Sequence, residues 1–234
     1  MQKKNLKFFF DKLNIKNGKF IIIGNNIYDD FLLKNDWSGM IFECNKNKCN
    51  DLMNKYIIYN DKIKIINNMI SYNNNDNLDN VIDHMSNSNY HSYDFLSLNV
   101  GGLEYFIFKD INKYLPSIIS INVNPGFDPY YDVELTDDIS RFHIGQSLII
   151  VCKEAKNKGY FPIYYTGNLY LIKLKYINLF TDSGFIKSID DLYFDFLLNV
   201  NDETLYCLYK IFVIDKYFNG LWFNNNTLKN YIEK

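Results

Sequence analysis

Short apolar runs with the composition of β-strands alternate along the chain with segments of helical pattern. The clearest runs cover residues 19–23, 40–43, 62–66, 94–98 and 118–123. Runs that are apolar at nearly every position indicate strands buried on both faces, as in a parallel sheet. Parallel strands need crossover connections, and helical segments lie between these runs. The order therefore predicts one α/β sheet whose strands end at a common edge.

The rest of the chain is expected to complete this sheet and to add a tail. Residues 160–165 and 169–175 read as an antiparallel hairpin, and the segment from about residue 186 is aromatic and Leu-rich. We predict a Rossmann-like α/β domain over residues 1–180 and a helical C-terminal extension packed on it over residues 181–234. Two further helices are expected over residues 103–114 and 140–158.

Composition limits the classes of partner. The 234 residues are 47% hydrophobic, carry a net charge of -2 and spread their lysines along the chain, which disfavours a duplex nucleic acid partner. No apolar run is long enough to span a membrane, and the four cysteines form no CxxC pair that would favour zinc. We expect a cytoplasmic protein with a small-molecule or glycan substrate and no metal, and the sequence leaves the oligomeric state open.

Residue usage is biased toward amino acids with AT-rich codons. Arg141 is the only arginine, whereas Asn, Ile, Lys, Tyr and Phe are abundant. A virus, a phage or an AT-rich microbe is therefore the expected source, and a viral protein would act in the host cytoplasm. The same bias offers an explanation for asparagine at positions where carboxylates are expected.

Five segments carry a family resemblance, in the order IIIG ending at Gly24, WSGMIFE ending at Glu43, DFLSLNVGGLE, SINVNPG, and GQSL with KGY and GNL. In this set the chain resembles the FkbM-like group of S-adenosylmethionine-dependent methyltransferases, over about residues 19–175. The resemblance implies a class I methyltransferase fold, with a parallel sheet that finishes in an antiparallel hairpin. It also implies S-adenosylmethionine as cofactor and methyl transfer to a hydroxyl group of a sugar or glycan.

The resemblance places the cofactor at the ends of the first two strands. Gly24, Asn25 and Asn26 would lie against the cofactor, where a glycine permits close backbone approach. Glu43 would accept hydrogen bonds from the ribose hydroxyls, and Asn99 would lie near the reactive end of the cofactor. The alternative for Glu43 is an ordinary solvated carboxylate at a strand end.

The catalytic residues implied by the resemblance are Asn99, Glu104, Asn122 and His143. Asn99 and Asn122 stand where the family usually has acids, and Ile22 stands at the acid position before the first glycine. Asparagine can donate and accept hydrogen bonds, but it cannot act as a general base or supply charge to a metal. His143 could replace the lost base, and the alternative is a surface or helix-cap histidine.

The missing carboxylates keep a second function open, that of a catalytically inactive methyltransferase fold retained as a binding or structural module, whether or not it still binds the cofactor. A cleft with Glu43 pointing into it would favour the enzyme. A first-strand loop filled by Ile27 or Tyr28 would favour the module. A third function, methylation of an RNA cap, would need a basic trench for which the sequence gives no clear indication.

Overall fold

A computed structural model provides the structure of the chain. It describes residues 2–24, 28–72, 75–85, 91–127, 129–130, 132, 134 and 145–199. None of the helices in these ranges is long and apolar enough to cross a membrane.

The described elements alternate as the sequence predicts. The strands are β1 (Lys19–Gly24), β2 (Ser38–Phe42), β3 (Ile63–Ile66), β4 (Phe95–Asn99), β5 (Ile118–Asn122), β6 (Tyr160–Tyr165) and β7 (Asn168–Lys173). The helices are α1 (Gln2–Lys12), α2 (Asp29–Lys34), α3 (Lys46–Lys55), α4 (Leu78–His84), α5 (Glu104–Asp110), α6 (Leu148–Asn157) and α7 (Ile189–Asn199). Residues Ile57–Tyr59 and Leu174–Ser183 form 3₁₀ segments.

The seven strands form one sheet in the order β3-β2-β1-β4-β5-β7-β6. The first five strands in this order are parallel, and β7 is antiparallel to both β5 and β6. The predicted fold class, a parallel Rossmann-like sheet that finishes in an antiparallel hairpin, is confirmed. The strand order reverses between β1 and β4, and the carboxyl ends of strands beside such a switch point are the usual ligand site of open α/β sheets.

Alternate residues of the strands fill two cores on opposite faces of the sheet. Phe20 and Ile22 of β1 pack on the face that carries α1 and α2, which we call the α1 face. Ile21 and Ile23 pack on the face that carries α4, α5 and α6, which we call the α5 face. Burial on both faces explains why the parallel strands are apolar at successive positions.

Helix α5 ends earlier than the sequence predicts, at Asp110 rather than near Tyr114. The buried carboxylate of Asp79 accepts the backbone N–H groups of Asn112, Lys113 and Tyr114 at 2.7, 2.8 and 3.1 Å. These bonds satisfy the donors in a non-helical path toward β5. The end of α5 is therefore set by a tertiary contact from α4 rather than by the helix propensity of the local sequence.

The helix expected over residues 140–158 is also shorter, because α6 begins at Leu148. Gly145 has φ +71°, and the carbonyl of Gln146 accepts the backbone N–H of Asn124 at 3.2 Å. This bond ties the segment to the loop after β5 and prevents it from continuing α6 toward the N-terminus. Residues 140–144, which were predicted to begin this helix, lie outside the described part of the chain.

Residues 181–199 are the described part of the predicted C-terminal extension, and its helix α7 packs on β6. The rings of Phe196 and Tyr193 lie 5.0 and 6.4 Å from the ring of Tyr165. Phe180, in the preceding 3₁₀ segment, is fully buried in the core on the α1 face. The division at residues 180 and 181 stays a prediction.

Candidate functional site

The sheet brings four of the predicted site residues to one edge and one face. Gly24 is paired with Asn99 across β1 and β4, and both continue the rows that pack on the α1 face. Asn122 ends β5 on the same face, and Glu43 directly follows β2 in the row of Ile41. We call this region the carboxyl edge.

Glu43 is a buried carboxylate with one oxygen held and one oxygen available. The residue is only 7% exposed to solvent. Oε1 accepts the backbone N–H of Asn45 at 2.8 Å and the thiol of Cys44 at 3.7 Å. Within the described part of the chain, Oε2 receives no hydrogen bond. A buried carboxylate oxygen without a donor indicates a place for a ligand that brings one.

The loop that holds Glu43 is fixed by side chains from two directions. Asn45 caps α3, since its side chain accepts the backbone N–H groups of Asn47 and Lys48. The Asn67 amide donates to the backbone carbonyl of Glu43 at 2.8 Å. The carboxylate is therefore placed by a rigid turn, which is the requirement for a preorganised binding group.

Glu43 lines a cleft of about 200 Å³ between the ends of β1 and β2 and helices α2 and α3. The volume is smaller than the ~300–1,000 Å³ typical of ligand pockets. Carboxylates, an ammonium group and apolar side chains all contribute to its wall, which suits a ligand with both hydroxyl groups and an apolar ring. The lining residues are Gly24, Asp29, Ile41, Glu43, Lys48, Asp51 and Leu52.

Gly24 is required by the neighbouring strand. Its φ is +81°, and a Cβ at this position would lie 2.1 Å from the carbonyl oxygen of Asn99. The glycine thus lets the ends of β1 and β4 approach, in addition to any contact with a cofactor. Asn25 and Asn26, the other predicted cofactor residues of this loop, lie outside the described residues.

Glu104 builds the loop that follows β4. Its buried carboxylate accepts the backbone N–H groups of Val100, Gly101 and Gly102 at 2.7, 2.9 and 2.8 Å. Burial raises the pKa of Glu104, and the hydrogen bonds from the loop oppose that increase. The structure therefore gives Glu104 a structural role that the sequence analysis did not foresee, and its expected role toward an acceptor stays a prediction.

Three of the motif segments meet at the carboxyl edge. A Cβ on Gly145 would lie 3.6 Å from the Cβ of Asn124 and 3.9 Å from the Cα of Gly102. Loops that are up to 43 residues apart, counted from Gly102 to Gly145, are therefore neighbours. The expected neighbour of this segment, His143, lies outside the described residues.

Asn168 adds a third amide side chain to this edge, beside those of Asn99 and Asn122. Asn168 was not among the predicted site residues. Asn168 begins β7 and is paired with Asn122, because β7 runs antiparallel and starts at the carboxyl edge. Asn99 and Asn122 each follow the registered pair of Leu98 and Ile121 by one residue. The signal was present in the hairpin sequence YTGNLY, but only the register places Asn168 beside Asn122.

Below this amide row, Tyr28 is buried in the core. Its hydroxyl lies 2.6 Å from the hydroxyl of Tyr170 and 3.2 Å from Oγ of Ser120. It also forms a hydrogen bond with the side chain of Asn168, and burial is the main reason that the pKa of Tyr28 is raised. Tyr28 therefore packs in the core beneath the sheet edge, and Glu43 faces a cleft. Residues 25–27 of the first-strand loop, whose filling would favour the module, lie outside the described residues.

No three side chains of His, Cys, Asp or Glu come together in a metal-binding arrangement among the residues that the structure describes.

Comparison with known proteins gives weak matches to methyltransferases. No protein-family model matches the chain, and no curated protein matches it. A solved structure of a candidate sarcosine dimethylglycine methyltransferase from Galdieria sulphuraria is similar with 14% identity and a TM-score of 0.44, over 69% of this chain and 62% of that chain. A SAM dependent methyltransferase from Aquifex aeolicus is similar with 8% identity and a TM-score of 0.41, over 71% of this chain and 86% of that chain.

The present chain thus spans less than two thirds of the Galdieria protein. Similarity at this level does not assign an activity. The fold assignment rests on the strand order and the strand directions.

Proposed function

We propose that the chain binds S-adenosylmethionine in the cleft beside Glu43 and transfers the methyl group to a hydroxyl group of a sugar or glycan. The observation that carries the proposal is the buried Glu43 carboxylate, whose Oε2 lacks a donor among the described residues. The order and directions of the strands support it, since a ligand is expected where the order reverses.

The residues of the cleft fit the nucleoside part of this cofactor. A carboxylate at the end of the second strand can accept hydrogen bonds from both ribose hydroxyls. Ile41 and Leu52 offer apolar contact for the adenine ring, and Lys48 and Asp51 offer charged groups at the rim. Asn99 ends β4 beside Gly24 and would lie close to the reactive end.

Methyl transfer from this cofactor depends mainly on how the acceptor hydroxyl is positioned. When bound, S-adenosylmethionine supplies a methyl group already activated by its positively charged sulfur. The acceptor hydroxyl has to be aligned with that group, and correct alignment alone supplies much of the rate enhancement in such reactions. Asn99, Asn122 and Asn168 present amides that donate and accept hydrogen bonds, which suits an uncharged, hydroxyl-rich acceptor. Removal of the hydroxyl proton by His143 stays a prediction.

Calorimetric titration with S-adenosylmethionine and S-adenosylhomocysteine tests the cofactor site. We expect micromolar binding to the wild type and binding weaker by about tenfold or more in Glu43→Gln, because charge-assisted hydrogen bonds are lost. Glu154→Gln is the matched control, since Glu154 lies on α6 and pairs with Lys158 at 3.4 Å. Binding that is absent in the wild type, or equal in wild type and Glu43→Gln, would contradict the proposal.

If the cofactor binds, mass spectrometry of sugar and glycan acceptors incubated with protein and S-adenosylmethionine tests the transfer. Addition of one methyl group to an acceptor hydroxyl is the expected result. Transfer to an amine or a carboxylate with none to hydroxyls would contradict the proposed acceptor class and leave the cofactor site intact.

A non-catalytic module is the second candidate function. Tyr28 is buried beneath the carboxyl edge, and the Glu104 carboxylate is already bonded to three backbone N–H groups. Both observations fit a fold in which former active-site positions now stabilise the structure. Cofactor binding without transfer to any acceptor class, or no cofactor binding, would favour this function.

A further inference from the structure

A second pocket, of about 310 Å³, opens at the opposite edge of the sheet, where the parallel strands begin. Ser117 precedes β5, Lys173 is the last residue of the antiparallel β7, and Lys175 follows that strand at the same edge. Lys113, Tyr176 and Asp94 also line the pocket. Its wall is almost entirely polar, so it is not a gap in the hydrophobic core. We call it the amino-edge pocket.

Lys173 is held with its ammonium group partly out of water. Its Nζ donates to the backbone carbonyl of Leu115 at 2.7 Å, and within the described residues it has no carboxylate partner. Burial, followed by the nearby charge of Lys175, lowers the pKa of Lys173. A cation in this position is destabilised by its surroundings and would gain from an anion in the pocket.

Lys175 is the second lysine of the pocket that has no carboxylate partner among the described residues. Its Nζ lies 4.7 Å from the centroid of the Tyr176 ring. A hydrogen bond with Ser117 and the proximity of Lys175 lower the pKa of the Tyr176 phenol. Two hydroxyl groups and two ammonium groups thus face one polar space.

The other charges of the pocket already have partners. Lys113 forms an ion pair with Asp83, and Oδ2 of Asp94 accepts the backbone N–H of Lys19 at 2.9 Å. Asp94 still contributes one negative charge, which partly offsets the charges of Lys173 and Lys175. The balance leaves the side of Lys173 and Lys175 positive.

We propose that the amino-edge pocket binds the phosphate group of a small phosphorylated molecule. A phosphate monoester carries a charge of about −1.5 to −2 at neutral pH and has three acceptor oxygens. It can therefore compensate both lysines and accept hydrogen bonds from the hydroxyls of Ser117 and Tyr176. A carboxylate offers two acceptor oxygens instead of three and would therefore satisfy fewer of these four donor groups.

The site is separate from the proposed cofactor cleft, because the two lie at opposite ends of the strands. The test is an NMR titration of the isotope-labelled full chain with inorganic phosphate and, separately, with glucose 6-phosphate, at constant ionic strength set with chloride. We expect saturable shifts of the backbone signals of Ser117 and Lys175. Tighter binding of glucose 6-phosphate would identify a phosphorylated small molecule as the ligand, and equal binding would identify recognition of the phosphate alone.

Lysine variants decide whether the pocket is responsible. We expect Lys175→Ser, and independently Lys173→Gln, to weaken phosphate binding by about tenfold, as for loss of one charge-assisted interaction. Lys34→Ser removes an exposed lysine on α2 and is the matched control, with unchanged binding. Lys175 is exposed, so its replacement should not impair folding.

Absence of saturable shifts, identical shifts with chloride, or equal binding by Lys175→Ser and the control would overturn the proposal. Titration of Lys175→Ser with S-adenosylmethionine keeps the two proposals distinguishable. We expect this variant to bind the cofactor like the wild type, whatever becomes of the phosphate.

Discussion

Replacing Glu104 by glutamine tests whether its carboxylate stabilises the loop after β4 or only faces a substrate. In the structure Oε1 accepts from Val100 and Gly101, and Oε2 accepts from Gly102, all within 2.9 Å. Glutamine has nearly the same shape but a single acceptor oxygen. If its oxygen takes the place of Oε1, its NH₂ group faces the N–H of Gly102, and two donors then oppose each other.

The magnitude follows from this count of bonds. An orphaned buried N–H group costs about 1–3 kcal/mol, and two charge-assisted bonds become neutral ones at about 0.5 kcal/mol each. Relief of the burial of a negative charge, the effect that raises the pKa of Glu104, offsets part of this loss. We therefore expect Glu104→Gln to lower the free energy of unfolding by about 2 kcal/mol, which is a decrease of about 4–8 °C in melting temperature for a chain of this size.

Urea and thermal unfolding followed by circular dichroism measure the effect. Glu104→Ala removes all three acceptor contacts and leaves a cavity, so it should cost more than the glutamine variant, about 3–5 kcal/mol. Asp11→Asn, which removes one end of the solvent-exposed i,i+4 pair with Lys7, should cost less than about 1 kcal/mol. A Glu104→Gln protein as stable as the wild type would refute the loop-building role, and selective loss of methyl transfer in that protein would favour the catalytic one.

Three further perturbations test the packing around the site. Gly24→Ala should lower the free energy of unfolding by about 2–5 kcal/mol, because a Cβ would collide with the paired strand β4. Gly184 also has a positive φ but open space around it, so Gly184→Ala should cost about 1 kcal/mol in the same unfolding assay. Tyr28→Phe should lower the free energy of unfolding by about 1–2 kcal/mol, since a hydroxyl that links β5 and β7 is lost, and an unchanged melting temperature would argue against that network. Peptide mapping after brief alkylation should find Cys44 modified and Cys152 protected until unfolding, because Cys44 is exposed whereas burial raises the pKa of Cys152 to about 12; early modification of Cys152 would contradict its burial.

The local pattern of the sequence was sufficient to place the buried parallel strands. Strands buried on both faces have to be apolar at successive positions, so β1, β2, β4 and β5 were readable without tertiary information. Because parallel strands share one carboxyl edge, the same reading also brought Gly24, Glu43 and Asn99 to one end of the sheet. The ends of α5 and α6 were not readable, since Asp79 and Asn124 fix them through contacts distant in sequence.

The amino-acid sequence by itself determined the alternation of strands and helices and the strand-end position of Glu43, because both depend on periodicity within short segments. Tertiary structure decided how Glu104 and Tyr28 are used, since their partners come from loop backbone and from other strands. Tertiary structure also formed the cleft beside Glu43 and the amino-edge pocket. The antiparallel direction of β7 carries Asn168 to one edge of the sheet and Lys173 to the other, and strand direction and register arise from pairing across the sheet rather than from local sequence.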